Sequence, residues 1–263
     1  MLAWNGKPIS LNGKFFEYNV PTLPPYTIRV ATNDGNEPKT LSSMTRITKE
    51  HVYDNVYDVT VTADETNWSG LFTTYDGHDY RFESNISDVI SANTTNVTNM
   101  NDLFFGVSSC FSSIGYFDTS TVTSMSRIFA DCIHISSIPE GFNTSNVTSN
   151  NGSYALFAKT SITSTQNIDT KNMKNFALMY ENCSSLKIIN EMDFTSATSV
   201  WGMFRGCVNA EEGISATYNI MKNNPRISAA QSYNNPHAEC FRNCGINSPH
   251  GSAELAQIPT GWK

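Results

Sequence analysis

The chain has 263 residues, enough to bury a sizeable core in one elongated domain or two compact ones. Only 16% of the residues are charged and the formal net charge is −7, which excludes the basic surface that a nucleic-acid-binding protein needs. No run of about 20 apolar residues is present, so no membrane-spanning segment is expected. The opening stretch MLAWNGKPIS also lacks the basic start and apolar run of an export signal.

The segment 1–25 is predicted to form a hairpin followed by a stiff linker. Asn-Gly pairs at 5–6 and 12–13 lie between apolar residues, which is a strong signal for a tight hairpin turn. The stretch PTLPP at 21–25 is rich in proline and therefore stiff.

The segment 26–90 is predicted to form a β-rich N-terminal cap. The stretches YTIRVATNDGNEP and VYDVTVTA read as half-buried strands. Aromatic residues that can pack in the core or stack on a sugar ring cluster in this segment, at Tyr53, Tyr57, Trp68, Tyr75 and Tyr80, and packing is favoured for most of them. The candidate binding residues among them are Trp68, Tyr75 and Tyr80. The densest group of titratable side chains is Asp76, His78 and Asp79. A polar turn is favoured there over a metal or sugar contact.

One stretch of sequence recurs through residues 91–212. It reads FDTSTVTSMSRIFADC at 117–132 and returns, varied, as IDTKNMKNFALMYENC and MDFTSATSVWGMFRGC. The apolar residues at its centre are Val97, Val122, Val147, Met173 and Ala197. Their spacing is 25, 25, 26 and 24 residues, a period typical of leucine-rich-repeat-like solenoids.

Each repeat carries an Asx residue four positions before its central apolar residue. This Asx column consists of Asn93, Asp118, Asn143, Asp169 and Asp193. Asx side chains accept hydrogen bonds from nearby backbone N–H groups, which predicts a chain corner in every repeat. A ladder of calcium sites is disfavoured, because each repeat supplies one Asx residue and two of the five are asparagine.

The apolar residues that follow are spaced by 3, 4 and 7 positions, as on one face of a helix. The predicted core column is formed by Phe104, Phe129, Phe157, Tyr180, Phe204, Cys132, Cys183 and Cys207. A left-handed residue is predicted to end each short helix, at Gly106, Asp131, Asn182 and Gly206. A loosely alternating stretch then predicts a strand. The predicted fold class is therefore α/β: a leucine-rich-repeat-like solenoid of 24–26-residue coils, each with a short strand and a short helix, behind the β-rich cap.

Six cysteines are present, and none forms a C-x-x-C motif of the zinc or redox type. Those at 132, 183 and 207 share one column, and a packing role as thiols is favoured over disulfides. The third repeat carries about three extra residues near Asn151 and Gly152. We interpret them as a bulge that is either a tolerated insertion or a binding loop.

Residues 213–263 are predicted to hold a helix, a degenerate repeat and a closing cap. The stretch ISATYNIMKNN reads as a helix ended by Pro225. HAECFRNCGI repeats the Phe-x-x-Cys signature at Phe241 and Cys244. The final stretch, SAELAQIPTGWK, is predicted to cover the last open face of the core with Leu255, Ile258 and Trp262.

No catalytic, metal-binding or cofactor-binding residue is predicted. None of the five histidines lies in a metal-binding spacing, and no nucleophile-elbow or phosphate-loop motif occurs. The repeated residues are Ser, Thr, Asn and core apolars, which favours a broad surface over a unique site. A polysaccharide-degrading enzyme remains a less favoured hypothesis, because the acidic pair that hydrolyses a glycoside is defined by its distance in space and not by its spacing in the sequence.

The repeat resembles that of the BspA-like leucine-rich-repeat family, F-D-T-S-N-V-T-x-M-x-x-M-F-x-x-C-x-x-L. Here it reads FDTSTVTSMSRIFADC, and the similarity extends over about residues 91–212, with departures at Asn150, Thr160 and Ala197. Members of this family are surface proteins of gut and oral bacteria and of mycoplasmas, and virion proteins of phages that infect gut bacteria. The end stretches PPYTIRVATNDGNEP and FRNCGINSPHGSAELAQIPTGWK are similar to tailed-phage proteins with the same repeats.

The resemblance implies a non-enzymatic virion protein, such as a fibre or another tail or capsid appendage used in host attachment. Such a protein is expected to assemble in the host cytoplasm. Its N-terminal segment 1–25 is expected to anchor it to other virion proteins, and a homo-oligomer is expected. A glycan or protein of the host surface is the expected external partner. The alternative is a bacterial BspA-like adhesin on the cell surface.

Overall fold

The computed structural model describes residues 10–11, 14–15, 23–40, 47–62, 66–73, 84–107, 113–165, 168–229 and 235–263. Near the N-terminus, β1 (Ser10–Leu11) pairs antiparallel with β2 (Lys14–Phe15). The Asn-Gly pair at 12–13 separates these strands, so the hairpin predicted from it is confirmed. The second predicted hairpin, around 5–6, lies outside the described residues.

A five-stranded sheet follows the hairpin. Its strands are β3 (Thr27–Thr32), β4 (Ile47–Tyr53), β5 (Val56–Val61), β6 (Ile86–Asn93) and β7 (Ser113–Ile114). Their order in the sheet is β4-β5-β3-β6-β7. The first four strands pair antiparallel with one another, whereas β7 is parallel to β6 and carries the sheet into the repeats.

The alternation of residue types in β3 and β5 gives this sheet two different faces. Ile28 lies opposite Val59 in the register, and both are fully buried. The next pair along, Arg29 and Asp58, points to the other face, where the guanidinium Nε donates to Oδ1 at 2.6 Å. Because side chains alternate along a strand, one face joins the core while the other carries this ion pair, together with the buried apolar pair Ala31 and Val56.

Seven stacked layers form the body of the protein between residues 66 and 244. Each layer contributes one ring to a single column, formed by Phe72, Phe104, Phe129, Phe157, Tyr180, Phe204 and Phe241. Successive ring centroids lie 5.5 to 5.8 Å apart, and the ring planes are within 21° of parallel. Each layer therefore buries the apolar face of its neighbours, which no single repeat can do alone.

The predicted α/β solenoid of strand-plus-helix coils is nevertheless wrong. Apart from β6 and β7, the described residues of the predicted repeat region form turns joined by isolated parallel bridges. All helices of the described ranges lie between residues 214 and 262, and the main sheet is largely antiparallel. The repeat period is present in the structure, but the described residues of the repeats do not form the short helix and short strand predicted for each coil.

Left-handed residues explain why helix-like spacing does not produce a helix. In the Phe104 layer, Asp102 and Gly106 both have positive φ, at 58° and 77°. A left-handed residue at every fourth position interrupts the right-handed path of an α-helix. The same pairing recurs in the later layers, at 127 and 131, 155 and 159, 178 and 182, 202 and 206, and 239 and 243.

Backbone hydrogen bonds alternate between local turns and the next layer. The N–H of Val107 donates to the Phe104 carbonyl at 3.0 Å, closing a tight turn. The N–H groups of the even-numbered residues 100–106 instead donate across to the next layer, at 2.8 to 3.1 Å. Their acceptors are the carbonyls of Ser124, Ser126, Ile128 and Ala130. A helix would satisfy all of these groups within one repeat, whereas here half of them tie the repeats together.

Helices occur only in the C-terminal part of the described chain: α1 (Ile214–Met221), α2 (Pro225–Ser228), α3 (Pro249–Ala256) and a 3-10 turn at Thr260–Trp262. The helix predicted in ISATYNIMKNN is confirmed as α1, although it ends before Pro225. That proline begins α2, where its missing N–H costs nothing. The side chain of Asn224 caps α2 by accepting from the Arg226 N–H at 2.9 Å.

The last residues close the stack of layers. The Trp262 carbonyl accepts the N–H of Phe241 at 2.9 Å, and the Trp262 ring lies 4.2 Å from the ring of His237. Ile258 and Trp262 are buried, as predicted for a closing cap. One continuous hydrophobic core extends from Ile28 to Trp262. The segments 26–90, 91–212 and 213–263 therefore share this core.

Candidate functional site

The Asx column forms a row of identical corners along one edge of the stacked layers. Each side-chain Oδ1 accepts the N–H of the residue two positions later, at 2.7 to 3.3 Å. These five residues are Asn93, Asp118, Asn143, Asp169 and Asp193. At the last corner, the hydrogen bonds from Thr195 lower the pKa of the Asp193 carboxyl group. The corners repeat with the period of the sequence and so present the same polar edge in successive layers.

Replacing Asp118 with alanine is expected to lower the free energy of unfolding by about 1 kcal/mol, because the turn N–H of Ser120 loses its acceptor. The bond from that N–H to Asp118 Oδ1 is 2.8 Å long. Thermal unfolding followed by circular dichroism measures the change. Asp118→Asn serves as the control, since an amide oxygen can accept the same bond and Asn143 does so in the next layer. A loss as large with asparagine as with alanine would contradict this role.

A buried threonine follows the Asx residue in four layers, and sequence reasoning missed its role. The Thr119 hydroxyl donates to the Asn143 carbonyl at 2.7 Å and accepts the Asn143 N–H at 2.7 Å. Equivalent buried residues are Thr94, Thr119, Thr144 and Thr170. They satisfy backbone groups of the next corner, so the recurring Asx-Thr pair links corner to corner. That recurring pair is the sequence signal that indicates them.

The column cysteines are buried thiols that donate to the backbone of the preceding layer. Sγ of Cys132, Cys183 and Cys207 lies 3.0 to 3.1 Å from the carbonyl oxygens of Phe104, Phe157 and Tyr180. Burial raises the pKa of Cys183 to about 11 and raises that of Cys207 as well. The five cysteines of the described ranges are free thiols. Their protonated, enclosed state makes them packing groups rather than nucleophiles.

The aromatic column contains one polar atom with no hydrogen-bond partner within the described ranges, the hydroxyl of Tyr180. This side chain is fully buried between Phe157 and Phe204, and burial raises its pKa well above the usual value. A buried hydroxyl without a partner destabilises the fold, because it has exchanged water for an apolar contact.

Replacing Tyr180 with phenylalanine is therefore expected to raise the free energy of unfolding by about 1 kcal/mol. The new ring matches the phenylalanines on either side of it in the column. Chemical denaturation measures the difference, and an unchanged slope would show that the folded state is the same. A loss of stability would show that the hydroxyl makes a contact that matters.

The three candidate binding residues of the cap fall into different places. Trp68 is fully buried in the first layer, next to Leu71 and Phe72, so its ring packs in the core and is not available to a ligand. Tyr75 and Tyr80 lie outside the described residues, as does the Asp76–Asp79 cluster. The structure therefore brings none of these three residues to a described surface site.

The turn face of the stack carries ion pairs that bridge neighbouring layers. Arg127 Nε lies 2.7 Å from Asp102 Oδ1, and the guanidinium of Arg127 lies over the ring of Phe105. Arg205 pairs with both Glu181 and Glu239, in the layers before and after its own. These carboxylates raise the pKa of Arg205 against the opposing effect of desolvation. Half-exposed pairs of this kind add little stability singly, but they order the surface.

Among the described residues, open grooves at the corners include the following two. The larger, of about 980 Å³, is bounded by Tyr116, Asp118, residues 138–145 and Asp169, and we call it the Tyr116 groove. Its residue Tyr116 is 59% exposed. The smaller groove, of about 760 Å³, runs between residues 191–195 and 220–226, and its one aromatic residue, Phe194, is buried. Of these two grooves, the Tyr116 groove offers an exposed aromatic ring together with polar groups, which makes it the candidate binding site.

Other chemistry is not assembled in the described ranges. No three His, Cys, Asp or Glu side chains there lie close enough together to hold a metal ion. None of the helices in those ranges is both long and apolar enough to cross a bilayer.

A protein-family comparison identifies the repeats. The model of the family described as "Mycoplasma protein of unknown function, DUF285" matches residues 66–187 and 140–218, which together make up more than half of the chain. This family belongs to the BspA-like, leucine-rich-repeat group of surface proteins. Neither the curated proteins nor the solved structures compared with the chain gave a significant match. The repeated corners, the stacked rings and the extent of this match together identify the chain as a member of the DUF285 family of BspA-like surface-protein repeats.

Proposed function

We propose that the protein is a non-enzymatic structural and adhesive component of a phage virion, carried on a tail or capsid appendage that contacts the host surface. Two features support this. The repeat FDTSTVTSMSRIFADC and both end stretches carry the resemblance to tailed-phage proteins set out above, and that resemblance implies a virion protein. Membership of a surface-protein family is consistent with a role in contact between particle and cell.

The observation that carries the proposal is the unbroken column of seven aromatic rings. It is reinforced by hydrogen bonds from each layer to the next, so the layers behave as one stiff body. Stiffness suits an attachment protein, because a preordered surface loses little conformational entropy when it binds. The polar corners add hydroxyl, amide and carboxylate groups that can hydrogen-bond a hydrated partner.

The N-terminal segment 1–25 is proposed to fix the protein to its neighbours on the particle, with more than one copy per appendage. Its strands β1 and β2 form a small hairpin that precedes the main sheet in the chain. Short hairpins are marginal alone and gain stability by adding to other strands.

The test is mass spectrometry of purified virions, followed by immunogold electron microscopy with an antibody to the protein. We expect its peptides in particles that survive density-gradient purification, and gold particles on the tail or the capsid. Absence from the particle would overturn the virion assignment.

A bacterial cell-surface adhesin is the second candidate, and the match to a family described from a mycoplasma protein favours it. Protease treatment of intact bacterial cells separates the adhesin from the virion protein. Release of peptides of this protein from uninfected cells would support the adhesin. An assay for released reducing ends, with host polysaccharide as substrate, tests the third hypothesis of a polysaccharide-degrading enzyme.

A further inference from the structure

We propose that the Tyr116 groove binds a neutral, hexose-containing glycan, with the Tyr116 ring as the platform for one sugar ring. This inference rests on the proposed role in host contact and names the ligand class and its site. The groove combines an exposed aromatic ring with polar groups at the corners of three successive layers, at residues 118, 143 and 169. The groove is open to solvent and has a volume of about 980 Å³.

Tyr116 is exposed although it lies between two tightly packed positions. On one side, Gly115 approaches β6 so closely that an added Cβ would lie 2.2 Å from the Ile90 carbonyl oxygen. On the other side, Phe117 is fully buried and its N–H donates to the Glu140 carbonyl at 2.9 Å. The backbone under the exposed ring is therefore fixed, and the ring is available without rearrangement of the core.

Gly141 lies beneath the ring of Tyr116. It has a φ of 82°, and an added Cβ would lie 2.7 Å from Cε2 of Tyr116. Gly141 occupies the same position in its repeat as Tyr116 does one repeat of 25 residues earlier. The small residue leaves room for the tyrosine of the preceding layer to lie over it. An exposed aromatic ring on a fixed backbone can bind a flat apolar face with little rearrangement of the protein.

The polar rim of the groove suits hydroxyl groups. The turn bonds of Asp118, Asn143 and Asp169 all use Oδ1. The second carboxylate oxygens of the two aspartates are further acceptors, and Glu140 adds an exposed carboxylate. Sugar hydroxyls donate to carboxylates in strong, charge-assisted bonds. Three carboxylates around one groove repel uronic acids, sialic acids and sulfated sugars, so the geometry and the charge together favour neutral glycans.

The experiment measures the binding of neutral trisaccharides of glucose, galactose, mannose and N-acetylglucosamine by saturation-transfer NMR and calorimetry. The protein is the full chain, and each titration is repeated in EDTA and with a uronic-acid trisaccharide. We expect at least one neutral trisaccharide to bind in both buffers and the acidic one not to bind. Tyr116→Ala is expected to weaken binding by about tenfold, and Tyr116→Trp to retain it.

Tyr53→Ala is the matched control, because Tyr53 is 51% exposed on β4 and does not line the groove. Its binding is expected to equal that of the unmodified chain. Equal binding by the Tyr116→Ala variant would overturn the site. Binding that is lost in EDTA would also overturn the site, because the proposed contacts need no metal ion. Binding of the acidic trisaccharide alone would overturn the proposed preference for neutral glycans.

Attachment of labelled protein to host cells separates failure of this site from failure of the proposed function. If the chain attaches to cells and Tyr116→Ala attaches equally well, the groove is wrong and the adhesive role stands. If attachment falls with Tyr116→Ala but not with Tyr53→Ala, the groove and the adhesive role are both supported. If the unmodified chain binds neither cells nor any neutral trisaccharide, both are overturned.

Discussion

Replacing Phe129 with alanine is expected to lower the free energy of unfolding by about 3–5 kcal/mol. Its ring is fully buried, 5.8 Å from the rings of both Phe104 and Phe157. Truncation removes the apolar area of the side chain and leaves a cavity in the middle of the column, which the hydrogen bonds between layers prevent from closing. Urea denaturation followed by circular dichroism measures the loss.

The control is Phe129→Leu, which keeps most of the volume and is expected to cost less than about 1.5 kcal/mol. Phe204→Ala, in the same column between Tyr180 and Phe241, is expected to behave like Phe129→Ala. A larger loss with Asp118→Ala than with Phe129→Ala would contradict the division between core and corner.

Replacing Gly213 with alanine is expected to lower the free energy of unfolding by about 3 kcal/mol. The residue has a φ of 93° just before α1, and an added Cβ would lie 2.0 Å from the Ile189 carbonyl oxygen. Neither group can retreat easily, because the Ile189 N–H donates to the Glu212 carbonyl at 3.0 Å. The cost combines left-handed strain with a collision between two backbone segments. Differential scanning calorimetry measures it.

Gly35 supplies the matched comparison, since its φ is also positive, at 71°, but no atom lies within 4 Å of an added Cβ. Gly35→Ala is expected to cost only the conformational strain, about 1 kcal/mol. Equal losses at the two positions would show that the close approach at Gly213 is not what requires glycine there.

The sequence period was sufficient to predict which side chains meet. Equivalent residues one repeat apart, such as Phe104 and Phe129, stack because a regular spacing forces each layer to present the same face to the next. The corner geometry was also predictable, since Asx side chains favour one local hydrogen bond wherever they occur. Both results depend on residue identity and spacing alone.

The local conformation was not predictable in the same way. Spacings of 3, 4 and 7 fit a helix, and the residues that break it include Arg127, Ala155 and Leu178, whose positive φ angles have no compositional signal. They adopt this conformation because half of the backbone N–H groups then reach the next layer. These hydrogen bonds between layers form only in the assembled stack, so the sequence of a single repeat does not predict the left-handed conformation.

The candidate site was missed for a related reason. Trp68 is a candidate binding residue because it is aromatic, but its side chain lies in the core. Tyr116 is exposed, and its ring lies over Gly141, the residue at the same position one repeat later. The signal is the pairing of a large residue with glycine at equivalent positions, which becomes meaningful only once the layers are known to stack.

The bond from the Phe241 N–H to the Trp262 carbonyl has a consequence for self-association. That carbonyl occupies the place where an eighth layer would offer its acceptor. The indole of Trp262 is buried and packs on the rings of His237 and Tyr218. While residues 260–262 keep this position, the Phe241 N–H is not available to a layer of a second molecule, so they disfavour end-to-end extension of the stack. The 3-10 turn at Thr260–Trp262 therefore acts as a cap that protects the last layer from end-to-end polymerisation.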